Sequence, residues 1–187
     1  KHYAYNITKN FRERGMFACN GILFNHESPR RGSNFVTRKI IEAAVKIKKN
    51  KQSKLFLGNL YAKRDWGYAK EYVEAMWKML QRKKPKDYVI STGKTYSIKE
   101  FINIATKYLK MKVKWTGKGL KERLINTRTN KTIIKINPKY FRPSEVNILI
   151  GNYGRARKDL NWKPKTNLTQ LIKIMIDEEI KYYNHNV

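Results

Sequence analysis

A chain of 187 residues in which 41% are hydrophobic and 12% aromatic has the apolar material for one domain with a core, or a domain and a small lobe, and is not a disordered chain. Its formal charge of +28 invites a polyanionic partner. The lysines, however, run from Lys1 to Lys181 without a basic tail, and the densest group is Lys46, Lys48, Lys49 and Lys51. That spread describes a lysine-rich surface, so no nucleic-acid partner is expected. The single cysteine, Cys19, rules out an internal disulfide. No apolar run approaches the roughly 18 residues of a membrane span, and a cytoplasmic protein without membrane contact is expected. Position 1 is a lysine within what reads as a helix already under way, so the expectation is a piece of something longer.

In chain order, Tyr3, Ile7, Phe11 and Arg14 predict an amphipathic helix over 1–14, ended by Gly15. Residues 16–24 read as a buried strand, followed by a polar turn carrying His26, Glu27, Pro29, Arg30 and Arg31. A helix over 34–49 puts Phe35, Val36, Ile40, Ala43, Ala44 and Ile47 on one face, with Phe35 and Ile40 expected in the core. A short strand at 54–57 stops at Gly58. The polar loop 60–67 leads into a helix over 68–82 whose Val73, Met76, Trp77 and Leu80 repeat at helical spacing. A strand at 87–91 comes next. Ser97 and Glu100 form a capping box that starts a helix over 98–109. A strand at 112–115 precedes a polar stretch, 117–135, with a candidate two-stranded ribbon at 124–125 and 132–136. Phe141, Arg142 and Pro143 interrupt regular structure. A short segment at 147–150, a helix near 153–160, a turn at 161–164 and a helix over 168–182 complete the chain. The last helix carries the stripe Leu168, Leu171, Ile172, Met175, Ile176, Glu179 and Ile180.

Strands alternating with helices in the first half, and a mixed lobe after it, predict an α/β fold with parallel strands. No glycine-rich phosphate loop follows any strand. Four clusters carry chemistry-bearing residues: NHESPRR at 25–31, KRDWG at 63–67, YFRPSEV at 140–146 and LNWKP at 160–164. Arginine forks bind phosphate in two-pronged fashion and a glutamate accepts from ribose hydroxyls. Singly, each cluster reads as a solvated surface loop. Three arginine loops converging on one cleft would suit a diphosphate.

Together, and in this order, NGILFNHESPRRGSNFVTRKI (20–40), GNLYAKRDWGYAKEYVEAMWKML (58–80), YFRPSEV and LNWKPK resemble the GDP-mannose 4,6-dehydratases, a family of extended short-chain dehydrogenases/reductases. The resemblance covers essentially the whole chain. It implies the C-terminal part of an NAD(P)-binding Rossmann-type fold with a smaller mixed α/β substrate-binding lobe. Residues 1–60 would hold the last part of the NADP-binding domain with interleaved substrate-domain segments. Residues 61–187 would be mainly the nucleotide-sugar lobe, with a return segment to the Rossmann sheet. The activity implied is NADP-dependent dehydration of GDP-mannose by a lyase that works as a homo-oligomer.

By the same resemblance Lys1 is the lysine of the family's YxxxK motif, touching the nicotinamide ribose and lowering the pKa of a base tyrosine four residues upstream. The base and the glycine-rich NADP loop would then precede this chain, which alone is expected to be inactive. His26 and Arg31 match cofactor contacts. Asn25, Arg64, Arg142 and Glu145 match contacts to the sugar nucleotide, and Asn34, Val36 and Lys39 lie where the nucleotide pocket forms. Asp65 and Trp66 stand between packing and site support, and Trp162 is expected to pack. No metal ligand set emerges. The alternatives are a related sugar-nucleotide epimerase or reductase and, further off, a basic nucleic-acid-binding module.

Overall fold

A computed structural model describes residues 1–141 and 144–185. In chain order its elements are α1 (His2–Glu13), β1 (Gly21–Leu23), β2 (Asn25–Glu27), α2 (Val36–Lys48), β3 (Leu55–Leu57) and β4 (Lys63–Arg64). Then come β5 (Trp66–Tyr68), α3 (Ala69–Leu80), β6 (Tyr88–Ile90), β7 (Tyr96–Ser97), α4 (Ile98–Tyr108) and β8 (Val113–Thr116). The last are β9 (Arg123–Asn126), β10 (Lys131–Ile136), β11 (Ile148–Leu149), α5 (Gly154–Leu160) and α6 (Leu168–His185). The chain divides into two interleaved units. The first gathers Lys1–Glu27, Arg64–Thr95 and Leu149–Asn167; the second gathers the described residues within Ser28–Lys63, Tyr96–Ile148 and Leu168–Val187.

In the first unit β1 pairs in parallel with β6, Ile22 opposite Val89, and β2 pairs in parallel with β5, His26 opposite Gly67. The expected strand at 16–24 is thus shortened to its apolar end, and the polar segment expected as a turn forms a strand of its own. Strand propensity is weak in Asn-His-Glu; the pairing partner decides the conformation instead. The core of this unit joins Tyr72, Ala75 and Met79 of α3 to Tyr88 and Ile90 of β6 and to Trp162. Burying each such large side chain contributes roughly 1.5–3 kcal/mol.

Helix α3 is present where the spacing predicts it, but the residues that carry the spacing are not the ones that pack. Val73, Met76, Trp77 and Leu80 face outward, Trp77 at 62% exposure, while Tyr72 is 1% exposed. The helix carries apolar residues on two faces, so periodicity finds the helix but not the face that packs. Helix α1 forms as predicted, yet none of its residues is buried.

In the second unit β10 is central: it pairs in parallel with β3 and antiparallel with β9, which pairs antiparallel with β8. The candidate ribbon is this β9–β10 pair, with a register shift between Thr132 and Ile134 that marks a bulge. Helices α2, α4 and α6 pack pairwise on one another through Ile40 and Ile41, Phe101 and Ile102, and Leu171, Ile172, Met175 and Ile176, all at or below 2% exposure. The α6 stripe read from sequence is the face that packs, and its Glu179, 3% exposed, is held 2.6 Å from Arg38 of α2. The capping box is present as read: Ser97 Oγ accepts from the Glu100 amide at 3.1 Å, and the Glu100 carboxylate accepts from the Ser97 amide at 2.7 Å. No helix among the described residues is long and apolar enough to cross a membrane.

Candidate functional site

Within the first unit the sequence-derived candidates are Lys1, Asn25, His26 and Arg64. Lys1 is exposed at the start of α1, its carbonyl accepting from the Tyr5 amide at 3.0 Å. The far end of α1 is fastened. Arg12 pairs with Asp87, and its Nε donates to the Ala18 carbonyl at 2.7 Å. Burial pulls the Asp87 carboxyl upward, but the bonds from Arg12 and the Asn20 amide outweigh it and hold it below the usual carboxylate range.

Asn25 and His26 sit on β2, opposite Trp66 and Gly67. His26 Nδ1 lies 2.9 Å from the Phe24 carbonyl. A carbonyl only accepts, so Nδ1 bears the proton, and the tautomer this contact selects is the one with its lone pair on Nε2. Motif resemblance singles out His26 but does not show what holds its ring. Tyr72 does so, its ring centroid 5.3 Å from that of His26 at an interplanar angle of 32°. Trp162 meets Tyr72 edge-on at 6.0 Å and donates its indole N–H to the Glu71 carbonyl at 2.9 Å. A Cβ on Gly67 would stand 2.4 Å from the Tyr72 ring, so only glycine lets the strand and ring approach this closely.

The Tyr72 hydroxyl is buried and makes no hydrogen bond among the described residues. Burial first, then the carboxylates of Asp65, Glu71 and Glu27, drive its pKa far upward, so it stays neutral. No local pattern singles out Tyr72, because its significance lies in a contact with a distant strand.

Arg64 is half-buried, next to a fully buried carboxylate. Asp65 Oδ1 accepts from the Thr92 amide at 2.8 Å and the Thr92 hydroxyl at 2.7 Å. Its Oδ2 accepts from the Gly93 amide at 2.9 Å and the Gly151 amide at 3.3 Å. Asp65 is therefore a structural staple, and it fixes the backbone that carries Arg64. Trp66, 2% exposed, packs. Glu71, which no sequence motif marks, accepts from the Lys165 amide at 3.1 Å, the Thr166 amide at 2.9 Å and the Thr166 hydroxyl at 2.6 Å.

Within the second unit lie Arg31, Asn34, Val36, Lys39 and Glu145. Arg31 is half-buried; Asn34 and Lys39 are exposed, Val36 and Glu145 half-buried. Phe35, expected in the core, is 42% exposed, and the Arg31 guanidinium carbon stands 3.4 Å from its ring centroid. Ile40 is in the core as expected. The remaining candidate, Arg142, lies outside the described residues.

The stretch 117–135, for which no site is expected, holds a buried carboxylate. Glu122, 3% exposed, accepts from Lys99 Nζ at 2.6 Å and from the Tyr61 hydroxyl at 2.7 Å.

The family model described as GDP-mannose 4,6 dehydratase matches residues 1–175. The chain is 49% identical over its whole length to the GDP-mannose 4,6 dehydratase of Drosophila melanogaster, of which it covers 47%. It is 50% identical over 97% of its length to the enzyme of that name from Dictyostelium discoideum, of which it covers 51%. It thus spans about half the length of the curated relatives it matches. In fold it is similar to the solved structure of RMD from Pseudomonas aeruginosa complexed with NADPH, with a TM-score of 0.71 at 16% identity, covering 91% of this chain and 50% of that one. The mixed α/β architecture read from sequence is that of these proteins, and the chain belongs to the GDP-mannose 4,6 dehydratase family.

Proposed function

We propose that this chain is part of an NADP-dependent lyase that converts GDP-mannose to GDP-4-dehydro-6-deoxymannose and water, an early step toward deoxysugar nucleotides. The observation that carries the reading is identity near one half, sustained along the whole chain, to proteins named for that activity. The NADPH held by the similar fold supports the choice of cofactor.

The residues present fit a dinucleotide. His26 offers an acceptor nitrogen in a fixed ring, Arg31 a flat guanidinium and Lys1 an exposed ammonium. When bound, the nicotinamide supplies reversible hydride transfer. Lys1 touches the nicotinamide ribose and favours the ionised form of a base tyrosine that this reading puts upstream. His26 and Arg31 hold the cofactor. Asn25, Arg64, Arg142 and Glu145 hold the diphosphate and ribose of the sugar nucleotide, and Asn34, Val36 and Lys39 line the nucleotide pocket.

In this reading residues 1–60 complete the cofactor domain and residues 61–187 supply mainly the substrate lobe. The pairing of β1 with β6 fits a return segment to the first sheet. The full-length enzyme is a cytoplasmic homo-oligomer, and the 187-residue chain by itself does not turn over.

The test is to incubate the full-length protein with GDP-mannose and NADP+ and identify the product by mass spectrometry. Loss of one water without accumulation of NADPH is the expected result. A product of unchanged mass, as an epimerase gives, would overturn the reading.

A further inference from the structure

Phe35 opens an apolar face yet does not enter the core: it is 42% exposed, whereas Ile40 of the helix that follows is 2% exposed. Its ring is covered by Arg31, whose guanidinium carbon is 3.4 Å from the centroid. Two tight turns bring this about. The Arg31 amide donates to the Ser28 carbonyl at 3.0 Å, and the Phe35 amide donates to the Gly32 carbonyl at 3.1 Å. Helix α2 then starts at Val36 and is anchored by Thr37, Ile40 and Ile41, all buried. The ring therefore stands on a rigid base, and the arginine is laid on it by a short, turn-bound loop.

A guanidinium stacked on a ring is engaged through its face. Its N–H groups lie in its plane, so stacking fixes their direction without using them. An unrestrained arginine loses rotamer freedom when it grips an anion, and one already stacked loses less.

We propose that Phe35 is a positioning residue for Arg31, holding the guanidinium in the plane in which it meets a phosphate of the dinucleotide cofactor. The proposal rests on the reading of Arg31 as a cofactor contact. It assigns a function to the exposed aromatic residue of this loop, for which packing gives none.

The experiment is calorimetric titration of NADP+ into the full-length protein and its variants. Phe35→Leu weakens binding about threefold to fivefold, the size of an exposed cation–π contact, while Phe35→Tyr binds like the parent. Arg31→Ala weakens binding by more, and adding Phe35→Leu to it changes nothing further, since the ring acts only through the arginine. The thermal midpoint of Phe35→Leu stays at that of the parent, because the ring is not part of the core.

Two results overturn the positioning role alone: Phe35→Leu binding like the parent while Arg31→Ala binds weakly, or Phe35→Leu weakening binding equally with and without Arg31. A different result strikes the reading beneath it. If Arg31→Ala binds NADP+ like the parent, Arg31 is no cofactor contact and the role of Phe35 falls with it.

Discussion

The rings of His26 and Tyr72 lie 5.3 Å apart, a strand residue resting on a helix residue. The contact ties a candidate ligand-binding histidine to the core, because Tyr72 is 1% exposed and braced in turn by Trp162. Tyr72→Phe keeps the stack and removes a buried hydroxyl that has no partner among the described residues. It is expected to leave stability unchanged or raise it by about 1 kcal/mol. Tyr72→Ala opens a cavity and is expected to cost about 3–5 kcal/mol. Denaturant unfolding of the two variants checks both, and Tyr72→Phe unfolding more easily than the parent would show that the hydroxyl has a partner.

Asp65 gathers four donors from two segments distant in sequence, at Thr92–Gly93 and at Gly151. Asp65→Ala removes the acceptor from three main-chain amides and is expected to destabilise the protein by about 3–5 kcal/mol. Asp65→Asn retains one acceptor oxygen and costs about 1–3 kcal/mol. Urea midpoints in that order support the staple, whereas a near-neutral Asp65→Ala would refute it.

The pair of Lys99 and Glu122 predicts a pH dependence. Burial raises the Glu122 carboxyl, but the bonds from Lys99 and Tyr61 outweigh it and hold its pKa below the ordinary 4.5. The bond to Glu122 lifts Lys99 above 10.5 against the pull of burial. A carboxylate lowered by folding adds stability that is full above its unfolded pKa and lost as pH falls through the folded one. A raised ammonium adds stability that is full below its unfolded pKa and lost as pH rises through the folded one. The pair is therefore fully stabilising between about 4.5 and 10.5. Glu122→Gln is expected to lower the neutral plateau by about 2 kcal/mol and to flatten the acid limb. Urea unfolding at a series of pH values from neutral to about 3 reads both, and an acid limb as steep as the parent's would assign it to other carboxylates.

What is legible in the chain follows the range of each interaction. The capping box is local: Ser97 and Glu100 are three residues apart, and both bonds are present. Replacing that serine by alanine is expected to cost about 1 kcal/mol, read as a lowered thermal midpoint. The α6 stripe is legible because that helix has one apolar face, whereas periodicity does not tell which face of α3 packs, because that helix has two. Strands β2 and β5 read as loops because Asn-His-Glu has little strand propensity, Gly67 interrupts the run between Trp66 and Tyr68, and their pairing joins residues far apart in sequence. The same limit hides Tyr72, Glu71 and Glu122, whose partners are all distant. Phe35 reads as core because an aromatic on an apolar stripe ordinarily is; a nearby arginine covers it instead. The candidate residues Asn25, His26, Arg31, Arg64, Arg142 and Glu145 come from motif resemblance, since nothing in periodicity marks a ligand contact.

Whether the full-length protein is a 4,6-dehydratase can be decided by following one hydrogen. GDP-mannose carrying deuterium at C4 is given to it with NADP+, and the product is examined by NMR. A dehydratase yields a ketone at C4, loss of water and deuterium at C6. Deuterium found at C4 of an epimer, or released in free reduced cofactor, would contradict that assignment.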